Sequence, residues 1–99
     1  MNDSATELEA AVFRRLLEHL DARRDVQNID LMIAAGFCRN CLADWVADAS
    51  AESGRPLSRD EARRAIYGMD YTAWKQGQPE ATPQQIARME ESVARNAGT

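Results

Sequence analysis

Marked at the helical repeat of about 100° per residue, the apolar positions of this chain form a series of short stripes broken at uneven intervals. Leu8, Val12, Phe13, Leu16 and Leu20 make the first, with Glu7, Arg14, Glu18 and Asp21 opposite, so a helix is predicted from the capping-box spacing Ser4-Ala5-Thr6-Glu7 to about Arg24. The stretch Asp25 to Trp45 holds the densest apolar run. Over Val26–Ala35 it has Val26, Ile29, Met32 and Ile33 on one side and Leu31, Ala34 and Ala35 on the other. A helix apolar on two sides is central to a bundle or shared with a second subunit, so this one is expected to be among the least exposed elements, with Asp25 as N-cap and Gly36 as C′ residue. After Gly36 the pattern restarts with Cys38, Leu42, Trp45, Val46 and Ala49 on one stripe and Cys41 at its edge.

Gly54-Arg55-Pro56 interrupts the periodicity, and Ser58-Arg59-Asp60-Glu61 is a second capping box. The helix it opens turns Ala62, Ala65, Ile66 and Met69 inward. Asp70 caps a further short turn carrying Tyr71 and Trp74. After a polar loop, Thr82-Pro83-Gln84-Gln85 starts a last helix, residues 83–97, with proline at its first position. Its stripe of Ile86, Met89 and Val93 is thin, which suits a peripheral arm laid on the body or on a partner. No run of alternating β-branched residues and no internal repeat occurs. The fold class is therefore all-α: one domain over residues 1–99, an irregular array of four to six helices. At 99 residues such a chain gains stability by sharing a surface, and an intertwined or helix-sharing homodimer is expected.

Composition removes several classes of function. The net charge is −4, with nine acids and five bases in residues 1–49 and seven of each in residues 50–99, so no basic tail or half exists to grip phosphate, and no nucleic-acid partner is expected. The arginine pairs 14–15, 23–24 and 63–64 each have acids within a helical turn and read as solvated faces. The longest uncharged apolar run, Leu31 to Cys38, is too short to cross a bilayer, and the opening residues are acidic and polar rather than signal-like. A cytoplasmic protein with no membrane partner is the expectation. Two cysteines in a reducing compartment then act as buried thiols, as metal ligands or as a transient redox pair.

The chemistry worth weighing lies at Cys38-Arg39-Asn40-Cys41 and at His19, the single histidine. Two thiols three apart on a helix project to one side and can both ligate a zinc ion, and an inward-facing His19 on the preceding helix would be a third ligand. The chain has no fourth Cys or His, and Cys38 lies mid-stripe, where a small buried hydrophobe serves as well. For redox work, the helix start after Gly36 would lower the pKa of Cys38, but the βαβ setting of thioredoxin-like motifs is missing. No Walker, GxSxG or GxGxxG pattern occurs, so no catalytic residues are assigned and an enzyme is not the expectation. Two readings stay open: a non-catalytic homodimeric structural or interaction module, and a metal-binding (zinc or iron) or thiol-redox protein centred on Cys38, Cys41 and His19.

The segments DVQNIDLM, AGFCRNCL, IYGMDYTAW and EATPQQ resemble a bacterial family known as domain of unknown function 1244, over nearly the whole chain. The resemblance implies a small all-helical, homodimeric protein with no established activity, and it names no catalytic or binding residues. Two positions depart from the family pattern: Ile33, where asparagine is usual, and Asp70, where proline is usual. A site that used the asparagine would be lost here.

Overall fold

The computed structural model describes residues 3–96, and among these every regular element is helical. The order is α1 (Asp3–Ala22), α2 (Asn28–Ala35), α3 (Arg39–Glu52), α4 (Arg59–Tyr67), α5 (Tyr71–Gln76) and α6 (Pro83–Val93), closed by a 3₁₀ turn at Ala94–Asn96. None of these helices is long and apolar enough to cross a membrane.

Local chemistry sets most of the boundaries. Ser58 accepts from the Glu61 amide at 3.1 Å while the Glu61 carboxylate accepts from the Ser58 amide at 3.0 Å. Those bonds hold the Glu61 carboxyl below its ordinary range, so this cap is intact above that range and weakens as the pH falls through it. Asp70 accepts from the Ala73 amide, and Thr82 and Gln85 form a further box ahead of Pro83. Gly36 and Gly68 close α2 and α4 in the left-handed region, at φ 74° and 70°, as C′ glycines do. Asp25, by contrast, is not the cap of α2. Arg23 grips both its oxygens at 2.9 Å, the Val26 amide turns back to the Arg23 carbonyl, and the helix starts two residues later with Gln27 as N-cap, its amide donating to Asp30 at 2.9 Å. The expected box at Ser4 is also displaced, since Ser4 already lies inside α1.

Two groups of helices result. In one, α3 packs on α4, which also carries α5 and touches α1. Its centre is Leu42, Ala43, Ala62, Ile66, Tyr67 and Trp74, with Phe13, Leu17 and Leu20 of α1 closing one side. In the other, α2 lies along α6. Gln85 reaches Asp30 at the start of the pair and Asn96 donates to the Gly36 carbonyl at 2.8 Å at its end, so the two helices run parallel. The last helix is thus seated on α2 of its own chain. Having α6 on one flank leaves α2 half-buried with no fully buried residue, yet only Ala34 and Ala35 along it are exposed, so it is among the least exposed elements, as its two-sided pattern predicts.

The stripes also rotate relative to the periodic reading. On α1, Phe13, Leu17 and Leu20 face the core, while Leu8 and Val12 are 67% and 68% exposed. On α3 the inner face is Leu42, Ala43, Val46 and Ala47, and Trp45 stands outside, stacked on Phe37 at 5.9 Å.

Gly36 is the most constrained of the turns. A Cβ there would collide with the Asn96 side-chain oxygen, and the left-handed backbone adds strain of about 1–2 kcal/mol. Gly36→Ala is expected to lower the unfolding free energy in urea by about 1–3 kcal/mol. An unchanged midpoint would mean that the α2–α6 seam is not held at this end.

Candidate functional site

The Cys38-Arg39-Asn40-Cys41 turn lies where the two groups of helices meet. Cys38 is the N-cap of α3, with an extended backbone at φ −143°, which leaves Arg39 at the first helical position. Arg39 is only 2% exposed, and its guanidinium fills the gap among the ends of three helices. Nη1 donates to the Val26 carbonyl at 2.9 Å and to Asn28 Oδ1 at 3.1 Å, and Nη2 donates to the carbonyls of Leu20 and Arg23, each at 3.2 Å. Its fourth side is the Trp74 ring, 5.0 Å away. No carboxylate is among these partners. Burial pulls the guanidinium below its ordinary value, but an arginine at that depth stays charged. The C-terminal end of α1 favours the cation, and the starts of α2 and α3, which it also borders, oppose it.

A second strand of the same cluster runs through amides and phenols. The Asn28 amide nitrogen donates to the Tyr67 hydroxyl at 3.0 Å, which donates to Asn40 Oδ1 at 2.8 Å. The Asn40 amide nitrogen then donates to the Tyr71 hydroxyl at 3.3 Å. Burial pushes the Tyr67 phenol up to about 12, so it keeps the proton it gives to Asn40. Tyr67 lies 4.8 Å from the Trp74 ring and 5.2 Å from Tyr71. Arg63 lies over the Tyr71 ring at 4.6 Å, its Nε buried without a hydrogen-bond partner. Tyr71 and Trp74 also border an open cleft of about 680 Å³ with Ile29, Pro79 and Ile86 on its walls.

Of the three residues singled out in the sequence, the structure brings together Cys38 and Cys41 and leaves His19 apart. Both cysteines are free thiols, Cys38 buried and Cys41 partly open. His19 is exposed on α1 rather than turned inward, because the inner face of that helix is taken by Leu17 and Leu20. Among the described residues no three of His, Cys, Asp and Glu gather as a metal ion would need. Two thiolates are half the donor set of a closed zinc site. Nor does the helix start activate Cys38: burial pushes its thiol up, and the neighbouring Cys41 adds to that, against an opposing pull from the amides of Asn40 and Cys41.

The residues that periodicity did not reveal are Asn28, Arg39, Asn40 and Tyr67. One signal was present for Arg39. Unlike the paired arginines, it has no acid within a helical turn, its neighbours three and four away being Ala35, Gly36, Leu42 and Ala43.

Among the described residues, an irregular array of six helices, built around a buried arginine and an asparagine–tyrosine network beside a dithiol, is the class that this geometry defines. The family model for a protein of unknown function, DUF1244, matches residues 26–91, the span that carries all of this cluster except the α1 carbonyl of Leu20 and the Arg23 carbonyl. The chain belongs to that family. None of the curated proteins matches it.

Proposed function

We propose that this protein is a non-catalytic homodimeric interaction module in which a second copy covers the outer face of α1. The observation that carries the reading is the open stripe of Leu8, Val12 and Leu16, exposed by 67%, 68% and 38%, on the same helix whose adjoining side, Phe13, Leu17 and Leu20, packs on the core. Fully burying one such side chain is worth about 1.5–3 kcal/mol, and a two-fold axis buries each of them twice. The dimensions of the single chain agree with a missing neighbour. Its radius of gyration is 14.9 Å with extents of 48 × 32 × 23 Å, against about 13 Å for a compact domain of this length. The polar cluster supports a structural role: its hydrogen bonds are spent on helix ends and on one another, which fixes the surface that α1 projects from.

Sedimentation at micromolar concentration is expected to give twice the 11.0 kDa chain mass. A Leu8→Glu, Val12→Glu double variant is expected to run as a monomer with its helical circular dichroism retained, since both positions are already open to water in the single chain. A monomeric wild type, or a double variant that still dimerises, would overturn the reading.

A further inference from the structure

Cys38 and Cys41 occupy the N-cap and the third helical position of α3, neighbours on one side of the turn, and their side chains interact directly, the proximity that a disulfide requires. Their exposures differ: Cys38 is 8% exposed, enclosed by the turn that holds Arg39, while Cys41 is partly open on α3. The nearest fixed charge in the sequence of the turn is the Arg39 guanidinium, whose hydrogen-bond partners are all neutral oxygens, so the interior beside the thiols holds a cation with no buried carboxylate to repel a thiolate.

We propose that Cys38 and Cys41 are a redox-active dithiol oxidised by low-molecular-weight disulfides of the glutathione type, with Cys41 as the attacking thiol and Cys38 as the resolving thiol. The Cys41 thiol gives its proton to water and, as the thiolate, attacks one sulfur of the small disulfide; the sulfur–sulfur bond breaks, and one glutathione thiolate leaves and takes a proton from water. Cys38 then attacks the Cys41 sulfur, which breaks the mixed disulfide, and its proton passes to the second glutathione thiolate as that is expelled. The protein loses two electrons and two protons, and the small disulfide becomes two thiols. Burial sets the order, because a bulky disulfide reaches Cys41 and not Cys38, and attack by a shielded thiol on an adjacent mixed disulfide needs no access from solvent. The order is the reverse of one in which the helix start activates Cys38. The inference does not depend on the dimer, which is built on α1.

The test is to incubate the native chain with mixtures of reduced and oxidised glutathione, quench with acid, alkylate and weigh. The wild type is expected to lose two hydrogens, with no lasting adduct, and to regain them with dithiothreitol. Cys38→Ser is expected to accumulate one glutathione on Cys41, and Cys41→Ser to react at least tenfold more slowly. Peptide mapping of the wild type quenched at short times locates the first adduct without any variant, so the assignment survives a variant that fails to fold. A first adduct on Cys38, a wild type that stops at the glutathione adduct, or disulfides formed only between chains would overturn the proposal.

Discussion

Replacing Arg39 by methionine is expected to destabilise the protein by about 3 kcal/mol, the upper end of the usual range for a point change, because it breaks a buried hydrogen-bond network. Methionine keeps much of the volume and can still lie against Trp74. It cannot donate to the carbonyls of Leu20, Arg23 and Val26, which Arg39 now serves from two nitrogens; those of Leu20 and Arg23 keep a backbone donor, so the cost of about 1–3 kcal/mol for a lost buried partner falls mainly at Val26 and the Asn28 side chain. Total stabilities of about 5–15 kcal/mol are usual for such domains, so much of the margin goes with one side chain. Lysine restores the charge but offers one ammonium where two nitrogens of a planar fork reach separate helix ends, and Arg39→Lys should recover less than half of the loss. Urea unfolding followed by circular dichroism measures both. A methionine variant within 1 kcal/mol of wild type would show that the cluster is not what holds α1, α2 and α3 together.

Trp74→Ala is the second large effect, at about 3–5 kcal/mol. Trp74 is 6% exposed and touches Tyr67 and Arg39, and α5 has only six residues, too few to persist as a helix without its tertiary contacts. Removing the indole therefore detaches α5 as well as leaving a void, and amide hydrogen exchange should show residues 71–76 losing protection more than α4. Trp74→Phe retains the ring contacts with Tyr67 and should lose no more than about half as much. Equal protection of α4 and α5 in the alanine variant would contradict this account.

The parts of the fold that were readable in advance depend on a few neighbouring residues. Ser58, Asp70, Thr82 with Pro83, Gly36 and Gly68 mark helix ends through bonds made within four positions, and each end falls where its marker stands. Asp25 failed as a marker because a stronger local partner, Arg23, claims both of its oxygens. Which part of a face turns inward was less legible, since the single apolar stripe of α1 is broad and periodicity does not say that its Phe13 and Leu20 edge, with Leu17 beside it, wins over Leu8 and Val12. Half-burial of α2 follows from the same ambiguity: both of its sides are apolar, and α6 takes one. In the site, the nearness of Cys38 and Cys41 was read from their spacing alone. The outward turn of His19 and the inward turn of Arg39 were not: His19 is exposed because Leu17 and Leu20 take the inner face of α1, and Arg39 is drawn in by carbonyls up to nineteen positions away.

The chain Asn28–Tyr67–Asn40–Tyr71 has a bearing on uniqueness. Apolar helix faces are tolerant of sliding: leucine, isoleucine and alanine make contacts of similar worth in many neighbouring arrangements, and a small core does not discriminate sharply among them. Directional bonds do, because a shift of one residue between α2 and α4 would leave Asn28, Tyr67 and Asn40 each facing a group it could not satisfy. Their net worth to the folded state is modest, but they act as the teeth of a lock, admitting one alignment of the two helical groups and penalising its neighbours.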